Sequence, residues 1–284
     1  MEFLINQTFN GLSYAALLFL MAGGLSLIFG VMKIVNIAQG SFFLVGGYIG
    51  YTVVNGTGNF YLGFLSACIV MGLLGVSLEH IFLEDLAGDN LRMMLTTMGI
   101  ALFFQDLSLL IWGGNPLNLP APDYLTRILK VGRFNFATFR LFMIGAAGVL
   151  FFLLWSLQKR TRMGSMVRAA VDNSEIAEGL GINVTAMKMG VFGLGAALSA
   201  FGGVIGCSYM ALYPGLDFEL LPYAFVVVVV GGMGSLSGAL VGSIIVGITD
   251  NFGKALFPEL AYFTLFAPMA LVLAWRPIGL FGRK

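Results

Sequence analysis

The sequence predicts an all-α, polytopic transmembrane helical bundle of eight or nine spans, with broken or re-entrant helices among them. Three observations carry this. Of 284 residues, 58% are hydrophobic and 10% are charged, where a soluble domain carries about 25% charged residues. Nine stretches come near the ~20 apolar residues that cross a bilayer: 9–32, 35–54, 61–80, 93–112, 139–157, 186–209, 216–232, 234–252 and 260–276. Glycine reaches 39 residues, a usage that membrane helices tolerate and that lets backbones approach closely.

The first stretch follows MEFLINQTFN, which lacks a basic leader, so it reads as a retained span and not as a cleaved signal. The second opens on Asn36-Ile37-Ala38-Gln39-Gly40-Ser41. If the helix is interrupted there, free N–H groups of the second half-helix favour an anionic group such as a carboxylate. The other reading is a polar cap at the membrane surface. The third stretch closes on Glu79 and His80, expected at an interface. The fourth holds Gln105 and Asp106. An intramembrane carboxylate is a functional candidate by default; it serves either ion coupling or a hydrogen-bonded structural role inside the bundle. The loop 113–138 contains GGNPLNLPAPDY, whose Pro, Gly and Asn predict a folded, turn-rich segment.

A polar island, 158–185, interrupts the apolar pattern after the fifth stretch. Charge is costly in lipid, so the island lies outside the bilayer. Lys159, Arg160, Arg162 and Arg168 place it on the inner side. Asp172 and Glu175 are spaced as a capping box for a short helix through Ile176, Ala177 and Leu180 that stops near Gly179 to Gly181. A second short helix covers Ser165 to Val171. Such an island either docks into a shallow groove on a partner or is a solvated surface loop.

The seventh stretch is the weakest, because Asp217, Glu219 and Pro222 precede the short core at 224–230. Next come Gly231-Gly232-Met233-Gly234-Ser235, where glycine backbone reaches conformations closed to other residues. Ser235 is placed to cap the eighth helix. Asp250 lies near the end of that helix. Glycines four apart, Gly46 with Gly50, Gly202 with Gly206, and Gly234 with Gly238 and Gly242, suit helix packing. The segments 29–50 and 228–247 share an order: apolar helix end, break, small hydroxyl residue, glycine-rich helix. Paired interrupted segments point to a transport site. Asn36, Gln39, Gly40, Ser41, Gly231, Gly232, Gly234 and Ser235 are therefore candidate pathway residues, with a tight turn as the alternative at 231–235.

With the N-terminus outside and nine crossings, 10 Lys and Arg residues fall inside and 5 outside, which supports that orientation and a basic C-terminus inside. Residues 1–284 form one membrane domain. A net charge of +1 gives no reason to propose nucleic-acid binding. Cys68 and Cys207 lie in apolar stretches and suit packing, and His80 alone builds no His-based metal site. No phosphate-binding loop pattern and no nucleophile–base set occurs, so the chain is expected to be no enzyme and to hold no cofactor. The glycine-rich breaks favour a transporter over a membrane scaffold with no transport role, and a self-sufficient ion-coupled secondary transporter or channel that uses Asp106 and the paired broken helices is one form of it.

The runs RMGSMVRAAVDNSEIAEGLGINV, VVVVVGGMGSLSGALVGSIIVGI, WRPIGLFGRK and NIAQGSFFLVGGYIG together resemble the branched-chain amino acid ABC importer permeases, of the shorter LivH type. The resemblance covers nearly the whole chain. It implies a multi-pass protein of a bacterial inner membrane, surrounded by lipid. It implies a second related permease, two ATP-binding cassette subunits that hold ATP and Mg, and a periplasmic substrate-binding protein. Arg168, Ala170, Asp172, Ala177 and Gly181 match the family's ATPase coupling run, with Glu175 beside them. Asn36, Gly40, Gly46 and Tyr48 fit the N-terminal signature. Gln39 and Ser41 stand where that signature commonly has His and Glu, which widens the solute class to other amino acids, amides, urea and small organic acids.

Overall fold

The computed structural model describes residues 2–86, 88–131 and 134–282. Arg133, Arg283 and Lys284, used in the charge bias, lie outside the described residues. Among the described residues, eleven α-helices follow one another: α1 (Glu2–Met32), α2 (Gln39–Thr57), α3 (Phe60–Leu78), α4 (Asn90–Trp112), α5 (Thr138–Arg160), α6 (Arg162–Asp172), α7 (Ser174–Gly179), α8 (Val184–Tyr209), α9 (Leu216–Gly231), α10 (Leu236–Leu256) and α11 (Ala261–Trp275).

Every predicted stretch is occupied by a helix, but the helices are not equivalent. Six, namely α1, α3, α4, α5, α8 and α10, are long and apolar enough to cross a membrane. The other three differ. α2 carries Gln39, Ser41, Thr52 and Asn55 among its 19 residues. α9 and α11 have 16 and 15 residues, about 24 and 22 Å at 1.5 Å per residue, less than a hydrocarbon layer of about 30 Å. α9 runs on through Pro222.

Capping residues set the starts. Asn59 accepts from Tyr61 N–H at 3.0 Å, Asp89 from Arg92 N–H at 3.1 Å, Asn183 from Ala186 N–H at 2.8 Å and Ser235 from Gly238 N–H at 3.0 Å. Each satisfies an orphan donor of α3, α4, α8 or α10.

Burial separates centre from periphery. The apolar windows of α1 and α8 are 78% and 72% buried, while those of α3, α4 and α5 are 28%, 28% and 17% buried. α8 packs chiefly on α2 and α3, and α1 on α10. Small residues permit this. A Cβ on Gly203 of α8 would fall on the Phe43 carbonyl of α2 and 2.7 Å from Gly47 N. Helix packing describes Gly46 against Ala200, Gly50 against Val204, Gly206 against Phe43 and Gly242 against Val227, whereas Gly234 lies in the turn before α10 and not on its face.

Three departures have physical causes. The third helix does not stop at His80: a π-helical turn at Glu79–Leu83 and a 3-10 turn at Glu84–Leu86 carry it further. Glu79 is 1% exposed. The loop 113–138 ends in a hairpin, β1 (Ile128–Val131) against β2 (Phe134–Ala137), with Leu129 opposite Phe136; strands of four residues are too short for their alternation to show in sequence. The start of the same loop folds over the end of α8, where Leu117 and Leu212 exchange two 2.8 Å backbone hydrogen bonds.

Candidate functional site

The first break is a re-entry. α1 ends at Met32, and Lys33 follows with a left-handed φ of 58°, its N–H bonded to the Phe29 carbonyl at 2.9 Å. Left-handed backbone is uncommon for a residue with a side chain. The chain then turns back into the bundle over residues 33–38. Gln39 opens α2 beside Gly24 and Met21 of α1 and donates to Gly195 O at 3.2 Å and Ser199 Oγ at 2.5 Å. Met21 lies 11 residues above the end of α1, about 16 Å. α2 therefore begins deep in the bundle, and the surface-cap alternative does not describe it.

The polar groups of the break bond to one another. Asn36 accepts from Ala38 N–H at 3.1 Å and donates to Gln39 Oε1 at 3.2 Å. Ile37 N–H reaches Thr97 Oγ1 of α4 at 3.3 Å. Ser41 donates to Asp217 Oδ2 at 2.7 Å. Asn36 and Gln39 are 0% exposed, Ser41 1% and Asp217 2%. A carboxylate does sit at the start of α2, but it is the chain's own. Asp217 also lies in the first turn of α9, where the helix dipole favours negative charge. Two helix starts, far apart in sequence, thus meet around one buried carboxylate.

Gly40 is where they touch, since a Cβ there would lie 2.5 Å from Asp217 O. Asp217, Ser199 and Thr97 were not singled out as site residues from sequence. The signal for Asp217 was available: a carboxylate at the head of an apolar run is costly unless partnered.

The second break is a tight turn. Gly232 N–H bonds Val228 O at 2.9 Å, and Ser235 N–H bonds Gly232 O at 3.1 Å. Gly232 and Gly234 have φ of 100° and 80°, which glycine alone adopts without strain. Gly231 packs on Gly238, Gly234 on Gly30 near the end of α1, and Gly232 against Gly279 and Gly282. Asn36, Gln39, Gly40 and Ser41 are brought together with Asp217, and not with Gly231, Gly232, Gly234 and Ser235.

The island 158–185 forms α6 and α7. Thr161 caps α6 through Gly164 N–H at 3.2 Å. The cap of α7 is Asn173, which accepts from Ile176 N–H at 3.0 Å. Asp172 is the last residue of α6, so the Asp172–Glu175 capping box is not formed. A one-residue shift in the cap changes which side chain points at the helix. Gly181, φ 84°, ends α7: Ile182 N–H bonds Ala177 O at 3.0 Å and Gly181 N–H bonds Glu178 O at 2.9 Å. This is a Schellman ending.

Ala170 and Ala177 bury against Val184 and hold α6, α7 and α8 together. Arg168 donates to the Gln158 carbonyl of α5. Asp172 and Glu175 are exposed, as are Ile176 at 62% and Leu180 at 76%. An apolar cleft of about 280 Å³, lined by Leu27, Leu154, Met163, Met166, Met187 and Leu194, separates α6 from α1, α5 and α8.

The remaining ionisable groups divide. Asp250 is buried and pairs with Lys254 at 2.6 Å, with Lys254 over the Tyr14 and Tyr223 rings. Glu79 lines a pocket of about 80 Å³ with Thr185, Lys188 and Glu84. Asp106 is exposed on α4, so the expected place for it inside the bundle is corrected. Among the described residues, no group of three His, Cys, Asp or Glu side chains forms a metal site.

Comparison with known proteins supplies the context. The permease protein BraD of a high-affinity branched-chain amino acid transport system in Pseudomonas aeruginosa is 27% identical over 294 residues, covering 98% of this chain and 96% of BraD. LivH of Escherichia coli K12, similarly described, is 28% identical over 297 residues, covering 99% of this chain and 96% of LivH. The ribose import permease RbsC of Escherichia coli K12 is 23% identical, covering 95% of this chain and 84% of RbsC. The family described as the permease component of the branched-chain amino acid transport system matches residues 7–273. A helical bundle with a buried re-entry and a capped polar loop between two of its spans is thus matched almost end to end, and the chain belongs to that permease family.

Proposed function

We propose that the chain is one of two related permease subunits of an ABC importer that moves a small amphipathic amino acid, of the branched-chain class, inward. Two ATP-binding cassette subunits hold ATP and Mg and drive it, and a periplasmic binding protein delivers the solute. The N-terminus faces the periplasm and the C-terminus the cytoplasm. The observation that carries this reading is the pair α6 and α7, taken with the family match over 7–273. Ala170, Ala177 and Gly181 make the pair a rigid unit, while Asp172, Glu175, Ile176 and Leu180 are turned outward. An apolar tip rimmed by acids suits a groove with basic edges on an ATPase.

Coupling then follows mechanically. Closure of the ATPases would push the α6–α7 unit, and the 280 Å³ cleft beneath α6 gives it room to move. α7 leads directly into α8, which holds Gln39 through Gly195 and Ser199. Displacement of α8 would therefore shift the start of α2. On this reading Asn36, Gln39, Gly40 and Ser41 form the hinge of the pathway wall, and the turn Gly231, Gly232, Gly234, Ser235 anchors its inner end.

Gentle-detergent purification from native membranes, with mass spectrometry of the co-purifying proteins, tests the reading. Two ATPase types and a second permease are expected. Recovery of the chain alone, with uptake that survives ATP depletion and collapses with an ion gradient, would replace this reading with a secondary carrier.

A further inference from the structure

At the re-entry the chain is packed shut: Asn36 and Gln39 are 0% exposed and Ser41 1%. A solute passing that level must run along an outer face. The peripheral helices offer such faces, and their charges tell them apart. α3, α5 and α11 carry no charged residue over 61–78, 141–158 and 261–275, as suits contact with lipid. α4 does. Asp106 is exposed there, among Leu102, Phe103, Leu109 and Leu110 at 45%, 62%, 48% and 83% exposure.

Depth decides what that carboxylate faces. Asp106 lies six residues before the end of α4 and 16 after its start, about 9 Å and 24 Å along the axis. A hydrocarbon layer of about 30 Å centred on α4 encloses it. An ionised group at that depth faces a bundle partner or a water-filled passage, because lipid does not solvate it. The neighbouring surface is polar too. Gln105 Nε2 lies 3.6 Å from where a Cβ on Gly215 would be, so α4 adjoins the head of α9 here. There the exposed Glu219 accepts a 2.8 Å hydrogen bond from Tyr213.

We propose that the α4 face around Asp106 lines the solute pathway, formed against the second permease subunit, and that the Asp106 carboxylate pairs there with the ammonium group of the amino acid in transit. The inference rests on the importer reading above and adds the face and the residue. Asp106 and Glu219 give this wall a negative character that draws an ammonium into an otherwise apolar passage. The apolar surround of Leu102, Phe103 and Leu109 accepts the solute's side chain. Removing the charge therefore weakens passage of a zwitterion while leaving assembly intact.

Two measurements on the complete importer test it. A photo-cross-linking phenylalanine derivative is placed at Leu110 of α4, Leu73 of α3 or Phe152 of α5, all more than half exposed. A permease–permease adduct is expected from Leu110 alone; adducts from Leu73 or Phe152 in its place overturn the assignment of the face. In proteoliposomes, Asp106→Asn is expected to lower ATP-driven leucine uptake at least tenfold, while Asp106→Glu stays within about threefold of the parent. Parent-level uptake by Asp106→Asn, in an importer that still co-purifies with its ATPases, overturns the role of Asp106. ATP-independent uptake by the parent protein instead overturns the importer reading itself.

Discussion

Ser41 donates a 2.7 Å hydrogen bond to Asp217 Oδ2, joining the first turn of α2 to the first turn of α9 across 176 residues of sequence. Both groups are at most 2% exposed, and Asp217 Oδ1 has no hydrogen-bond partner among the described residues. Among the described residues, Ser41 is the one side chain that hydrogen-bonds this carboxylate, beside backbone N–H groups at the head of α9. Ser41→Ala should cost about 1–3 kcal/mol, the penalty for an unsatisfied buried acceptor. Asp217→Asn should cost less, because it keeps an acceptor for Ser41 and sheds a buried charge. Thermal unfolding of the purified protein in detergent reads both. An unchanged midpoint for Ser41→Ala would mean that the two helix starts are held by packing alone.

The cap of α7 separates two neighbouring residues. Asn173→Ala removes the bond to Ile176 N–H and should destabilise α7 by about 0.5–2 kcal/mol. Asp172→Ala should leave the helix intact, so any loss of ATPase recovery with it reports a lost contact and not a lost fold. Hydrogen exchange over residues 174–182 distinguishes the two. Equal loss of protection in both variants would contradict the cap assignment.

Gly203 and Gly148 predict opposite outcomes for the same substitution. A Cβ on Gly203 meets the Phe43 carbonyl, whereas nothing lies within 4 Å of a Cβ on Gly148. Gly203→Ala should force α2 and α8 apart and lower the yield of folded protein several-fold. Gly148→Ala should be neutral or stabilising by about 0.5–1 kcal/mol, the helix advantage of Ala over Gly. Size-exclusion profiles of the two variants make the comparison, and matching profiles would argue against close helix contact at Gly203.

Lys254→Ala should leave Asp250 buried without its cation. Breaking a buried pair costs about 3–5 kcal/mol; with Lys254 half exposed, 46% by side chain, about 1–3 kcal/mol is expected here. Asp250→Asn combined with Lys254→Ala should recover part of it. If the double variant is no more stable than Lys254→Ala alone, the pair is not what holds the end of α10 against Tyr14 of α1 and Tyr223 of α9.

Much of the architecture was legible from local chemistry. Apolar length placed every long helix, because a membrane helix must satisfy its backbone within one continuous segment. Ser235 was readable as a cap and the glycine pairs as packing sites, since both depend on residues a few positions apart. The island at 158–185 was readable as two short helices, because a polar break interrupts the long apolar pattern there. The one-residue error at Asp172 arose because Asn173 and Asp172 are both good caps, and only the backbone decides between them.

What sequence determined by itself was which segments are helical, since that follows from the composition of a single stretch. Tertiary structure alone decided how those segments pack and which side chains they bury. It turned residues 33–38 back into the bundle, set Ser41 against Asp217, buried Glu79, and left Asp106 facing outward. Each of these depends on partners more than fifty residues away, or on the absence of one. No local pattern encodes a contact whose other half lies in a different helix.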